Sequence, residues 1–111
     1  MRAISVGANL TANTLTTLYT VPTGYYARVV LLRAANATAT AKHITFDWTD
    51  TSESATYSLV YQTSISSNTT QDFGGDAYFV MDEGDILKAT SEAASTFAVA
   101  ITVEQIGLTR Q

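Results

Sequence analysis

His43 is the single histidine available for acid–base work or metal ligation, and the chain has no cysteine. His43 falls on the polar side of an alternating apolar/polar segment, which reads as a surface position. A Ser-His-Asp arrangement is defined by geometry rather than by chain order, but no Gly-x-Ser-x-Gly elbow is present. Two acidic groups invite a hard cation, which takes oxygen ligands from loops: Asp47, Asp50 and Glu53, and the run Asp82-Glu83-Gly84-Asp85. Neither has the alternating acids of an EF-hand loop. The first reads as a solvated strand end and turn, the second as a hairpin turn in which Gly84 makes the bend and the acids face water. No two acids are placed to set the separation that glycoside hydrolysis needs. The expectation is a chain with no catalytic residue, no cofactor and no metal site, hence no enzyme.

Aromatic side chains are the remaining groups with binding chemistry. Trp48, Tyr57 and Tyr61 could stack on a sugar, but their two-residue spacing within strand-like segments places them in the core or at its margin. Tyr25 and Tyr26 differ. Neighbours on a strand point to opposite faces, so one of the two lies outside the core, and tyrosine is enriched in protein contacts. Arg28 and Arg33 share that segment and are expected at a subunit boundary, paired with acids there. Tyr25, Tyr26, Arg28 and Arg33 are therefore the candidate oligomer or partner contacts.

The elements that carry these residues are strands. Apolar/polar alternation recurs every 10–15 residues with turn chemistry between, and no helical period is sustained. Residues 1–13 read as an N-terminal arm or weak edge strand. Strands are expected over Thr14–Val21, Tyr25–Ala35, Lys42–Thr49, Ala55–Gln62, Asp76–Met81, Ile86–Ser91 and Thr96–Ile106. Pro22-Thr23-Gly24 forms a turn, and Ile65–Gly75 is expected as a long polar loop. Val29, Val30, Leu31 and Leu32 are consecutive, so that strand is central or covered by another subunit. In Lys42–Thr49, Ile44, Phe46 and Trp48 face one way. Phe97, Val99, Ile101 and Val103 do the same in the last strand. This predicts an all-β antiparallel sandwich of seven to eight strands, jelly-roll or immunoglobulin-like, over residues 14–106, followed by a tail over 107–111.

Composition narrows the function. A chain of 111 residues supports one domain with its own core. Net charge is −4, with six Lys plus Arg scattered singly, so the clustered cations that bind phosphate are missing and nucleic acid is not an expected partner. No apolar run approaches the ~20 residues of a membrane-spanning helix, and no apolar stretch near Met1 resembles an export signal, so no membrane partner is expected. The surface is neutral and rich in Thr, Ser and Ala, which suits contact with protein or sugar.

The order of turn and strand signatures carries a resemblance. Leu18-Tyr19-Thr20-Val21-Pro22-Thr23-Gly24 precedes an apolar strand ending in Ala34-Ala35-Asn36-Ala37-Thr38. Met81-Asp82-Glu83-Gly84-Asp85-Ile86-Leu87-Lys88-Ala89, an Ala/Ser loop and a Val/Ile-rich closing strand follow. Over roughly Thr14–Ile106 the chain resembles small tailed-bacteriophage virion proteins of the capsid decoration (cement) or head accessory type. That resemblance implies a non-enzymatic homo-oligomer, often a trimer, made in the host cytoplasm and seated on the major capsid protein of the virion surface. It carries over no catalytic residue. A tail or head fibre component and a stand-alone carbohydrate-binding sandwich are the alternatives.

Overall fold

The computed structural model describes residues 2–107, with the backbone alone for 74–78. Eight strands form: β1 (Arg2–Leu10), β2 (Thr16–Thr20), β3 (Tyr25–Asn36), β4 (Lys42–Asp50), β5 (Ala55–Ile65), β6 (Thr69–Met81), β7 (Ile86–Ser91) and β8 (Phe97–Gly107). They build two antiparallel four-stranded sheets, β1-β8-β3-β6 and β2-β7-β4-β5. The expected β-sandwich is borne out. The strand order decides between its two variants, because odd- and even-numbered neighbours alternate across the sheets as in the nested pairs of a jelly roll.

Between the sheets lies one apolar core. Ile44, Phe46, Met81, Leu87, Ile101 and Val103 are fully buried in it, with Val29, Leu32, Phe97 and Val99 beside them. The alternation expected in β4 and β8 holds: Ile44 and Phe46 in β4, and Phe97, Val99, Ile101 and Val103 in β8, point inward. Phe46 makes an edge-on contact with Phe73 of the opposite sheet, ring centroids 6.1 Å apart.

Bulges account for most departures from simple alternation. The β3–β8 ladder passes from Val29↔Val103 to Leu31↔Thr102, which leaves Val30 as an extra residue. That single insertion lets four successive apolar residues lie in one central strand while Val29 and Leu32 both turn inward. In β2 the ladder passes from Thr17↔Lys88 to Tyr19↔Leu87, and adjacent Leu18 and Tyr19 are both buried.

One alternative is decided and two expectations need correction. Of the arm and the edge strand expected for residues 1–13, Arg2–Leu10 form the edge strand, in continuous register with β8 from Arg2↔Gln105 to Leu10↔Phe97, so the sandwich begins there and not at Thr14. The Ile65–Gly75 segment is a loop only at Ser66–Asn68, where Asn68 adopts φ 53°; from Thr69 onward it is the start of β6, pairing Asn36↔Thr69 through Leu31↔Gly74. Its polar sequence concealed a strand because β6 is an edge strand, half solvated. The expected tail is strand at Gly107, and residues 108–111 lie outside the described part.

Candidate functional site

The outer face of the β1-β8-β3-β6 sheet holds two of the candidate contact residues, and the structure gives both arginines partners within the chain. Arg28 Nη2 lies 2.7 Å from Glu104 Oε1 on the adjacent β8. Arg33 donates from Nε to Asp72 Oδ1 at 2.6 Å and from Nη2 to Asp72 Oδ2 at 3.0 Å on β6, a two-pronged pair. The Arg33 guanidinium holds the Asp72 carboxyl below its ordinary range, mainly through that hydrogen bond. Both arginines thus have acid partners across the sheet within the chain. Tyr26 is half-buried, and Tyr25, at the strand start, is 38% exposed beside Gly107. These four residues do not converge on one point. They are spread along β3.

What the sheet face presents instead is a row of small neutral side chains. Ala3, Ser5 and Gly7 of β1 stand beside Glu104, Thr102 and Ala100 of β8. The Ser5 and Thr102 hydroxyls are 3.1 Å apart.

Large exposed side chains lie on β5, an edge strand of the other sheet. Two one-residue insertions interrupt its pairing with β4, which runs Ile44↔Thr63, Phe46↔Val60 and Asp47↔Ser58. Gln62 at φ 46° marks one of them. Each insertion resets the side-chain parity. Inward positions are therefore Tyr57, Val60, Thr63 and Ile65, and Leu59 and Tyr61 are thrown outward. Tyr61 is 67% exposed, Tyr57 44% and Leu59 38%. The expectation of a core or marginal position holds for Tyr57, which packs against Trp48 at the margin, and is corrected for Tyr61: the two-residue period was present in the sequence but is broken in the strand.

Trp48 supports this edge from beneath. Its ring lies 5.4 Å from that of Tyr57 and 5.5 Å from that of Phe79, tilted by 37° and 46°. Its indole N–H donates to Asp85 Oδ2 at 3.1 Å. Asp85 is fully buried and also accepts from the backbone N–H groups of Asp82 (3.0 Å) and Thr51 (3.2 Å). The expectation that every acid of the 82–85 turn faces water is therefore wrong for Asp85. Neighbouring Glu83 accepts from the Gly24 N–H at 2.6 Å, and Val21 exchanges backbone hydrogen bonds with Gly84 and Asp85. These contacts clip the two turns together and so fix the start of β7.

The polar groups singled out for chemistry have partners of their own. Asp47 accepts from Ser58 Oγ at 2.7 Å, and Asp50 from Ser52 Oγ at 2.8 Å. Among the described residues no three acids or histidines converge on a cation site. His43 Nε2 lies 3.6 Å from Glu92 Oε1, and the His43 backbone N–H donates to that same oxygen at 3.0 Å. Lys42 Nζ stands 3.7 Å from the other Glu92 oxygen. This is a strand-end clamp with no nucleophile in it. A shallow depression of about 290 Å³ lies between Ala35, Asn36, Ala37, Asn68, Thr69 and Thr70. The Asn36 side chain there is buried and occupied. It donates to Ile65 O at 2.9 Å and Thr40 O at 3.1 Å and accepts from Thr38 N–H at 2.8 Å.

No protein-family model matches the chain, and no curated protein matches it in sequence. Among solved structures, the fold is shared by a chain from the disulfide-linked pili that form Bacillus endospore appendages. It superposes with a TM-score of 0.54 at 14% identity, covering 97% of this chain and 88% of that one. At that identity the likeness is one of fold.

Proposed function

We propose that this chain is a non-enzymatic structural subunit that works by binding protein surfaces in a repeated assembly, and specifically a decoration protein that clamps a bacteriophage shell as a homo-oligomer. The observation that carries the reading is the gathering of three large exposed side chains on the β5 edge strand, Tyr57 at the rim of the inter-sheet face and Leu59 and Tyr61 on the outer face. Large apolar side chains left exposed together along one edge fit a partner contact. Jelly rolls also serve as viral shell and lectin domains, and the pilus chain of similar fold belongs to another repeated assembly. Those pili are disulfide-linked. This chain contains no cysteine, so disulfides do not link its copies. Binding only the assembled lattice stabilises that lattice by mass action.

Quantitative mass spectrometry of purified particles tests the reading. Hundreds of copies in fixed ratio to the major shell protein support it. A handful of copies supports a tail or fibre role, and absence from particles overturns both.

A second reading has its own support in Tyr57, which is 44% exposed with its ring resting against Trp48 at the rim of the sandwich. An exposed aromatic face of this kind suits a sugar ring. Saturable glycan binding by the isolated protein, lost in Tyr57→Ala, would favour it.

A further inference from the structure

Among the described strands, four lie at sheet edges: β1, β2, β5 and β6. Three of them carry a register break against their inner neighbour. The β2 ladder shifts at Leu18, the β5 ladder shifts twice, and the β6 ladder passes from Val29↔Phe79 to Leu31↔Gly74. Bulges of this kind twist an edge away from further pairing, and charges and prolines serve the same end. β1 has none of these defences. Its nine residues pair with β8 without interruption. It contains no proline and no lysine, and its single charge is Arg2, at the strand end. Its outward side chains, Ala3, Ser5, Gly7 and Asn9, are exposed, and three of these are too small to block an incoming strand. Its inward ones, Ile4, Val6 and Ala8, pack on the core yet are only half-covered.

The geometry points to the β1 edge as a twofold interface with a second copy of this chain. Antiparallel pairing about an axis through Val6 aligns all nine residues. Val6 meets Val6 of the other copy, Ile4 meets Ala8, Ser5 meets Gly7 and Ala3 meets Asn9. Residues of like face meet in every pair, so the two sets of half-covered apolar side chains cover one another on the core side. Arg2 meets Leu10, which holds the two arginines at opposite ends of the interface. The two four-stranded sheets then join into one continuous sheet of eight strands. Such a contact is isologous and self-closing, which gives a dimer with no free β1 edge. A threefold ring requires β1 to pair with a different edge, and each other edge is interrupted. The occupant is a second copy because the same uninterrupted, half-covered edge is present on every copy, and the twofold register leaves no like charges opposite one another. This inference deepens the assembly reading, for which the dimer is the building unit.

The test uses two double variants of the full chain. Gly7 tolerates a side chain in the monomer, since an added Cβ comes no closer than 3.8 Å to the Val99 carbonyl. Ser5→Lys with Gly7→Lys sets like charges opposite one another at both symmetry-related positions. Ser5→Glu with Gly7→Lys sets opposite charges there. Sedimentation across a dilution series should show a dimer for the unsubstituted chain and dimerisation weakened about tenfold or more in the first variant. The Glu/Lys variant should dimerise at least as well as the unsubstituted chain. Thermal unfolding of the two variants shows whether both retain the fold. A dimer that survives in the Lys/Lys variant, or a folded Glu/Lys variant that stays monomeric, overturns this interface. An unsubstituted chain that is monomeric at every concentration also overturns it. Particle copy number is independent of these outcomes: a monomer present in hundreds of copies leaves the assembly reading standing without the dimer, and a β1 dimer absent from particles does the reverse.

Discussion

The indole N–H of Trp48 on β4 donates to the carboxylate of Asp85, 37 residues away at the start of β7, and Asp85 is wholly shielded from water. The carboxylate also holds the Asp82 and Thr51 N–H groups, so removing it strands several buried donors at once. Asp85→Ala should cost ~3 kcal/mol or more in urea unfolding. Asp85→Asn keeps one acceptor but points an amide donor at other donors, so it should fall between. An Asp85→Ala loss below 1 kcal/mol would show, at ~1 kcal/mol per ordinary hydrogen bond, that the cluster is not a constraint on the turn.

Asn36 performs a comparable task at the other end of the sandwich. It ties the end of β3 to the end of β5 and to the loop after Asn36, and it is 2% exposed. Asn36→Ala leaves the Ile65 and Thr40 carbonyls without their donor. A loss of ~2 kcal/mol is expected, together with faster amide exchange at Thr38, whose N–H loses its acceptor. Asn36→Asp should cost about as much, because a carboxylate cannot donate to those carbonyls.

Acid should weaken the Glu92 clamp. The His43 backbone N–H, followed by the charges of Lys42 and His43, holds the Glu92 carboxyl below its ordinary range. Its folded value is lower than its unfolded value, so its contribution is present above the unfolded value and is lost as pH falls through the folded one. The thermal midpoint should therefore drop on acidification, and the drop should be shallower in Glu92→Gln. Asp72, lowered by Arg33, contributes an acid limb of the same sign that Glu92→Gln leaves in place. A pH profile identical in Glu92→Gln and the unsubstituted chain would remove the clamp from consideration.

Arg33→Ala should change stability little despite its two short hydrogen bonds, because the pair is half exposed on both sides. Denaturant unfolding at low and high salt checks this, with the difference between variants shrinking at high salt.

The two exposed tyrosines of β5 should separate binding from stability. Tyr61→Ala removes a side chain that is 67% exposed and should alter stability by less than ~0.5 kcal/mol. Tyr57→Ala also loses the contact with Trp48 and should cost ~1 kcal/mol. Both should weaken attachment to the partner surface, measured by co-sedimentation with particles. Unchanged attachment in the double variant would direct the search to another face.

Alternation and turn chemistry were sufficient to read the all-β class, the central apolar strand, and the inward faces of β4 and β8. These depend on local pattern alone: a strand with one buried face must alternate, and Ile44, Phe46 and the odd-numbered residues of β8 do so. The turn at Pro22-Thr23-Gly24 was equally legible, since Gly24 adopts φ 89°. Tertiary structure decided the rest. Tyr57, Leu59 and Tyr61 share a two-residue period, yet two inserted residues opposite β4 split them between faces, and a bulge is set by the partner strand rather than by its own sequence. Asp85 reads as a water-facing turn acid until the fold delivers Trp48, 37 residues distant in sequence, to its carboxylate. The first half of β6 looked like a loop because an edge strand with solvated positions can be polar throughout, and the short alternation Ile4, Val6, Ala8 in β1 left arm and edge strand open, a choice that its pairing with β8 decides. Arg28 and Arg33 looked free to meet a neighbour, until the order of strands placed Glu104 and Asp72 beside them. Local sequence carries the period of a strand; which residues stand opposite one another is a long-range choice, made by the packing of whole sheets.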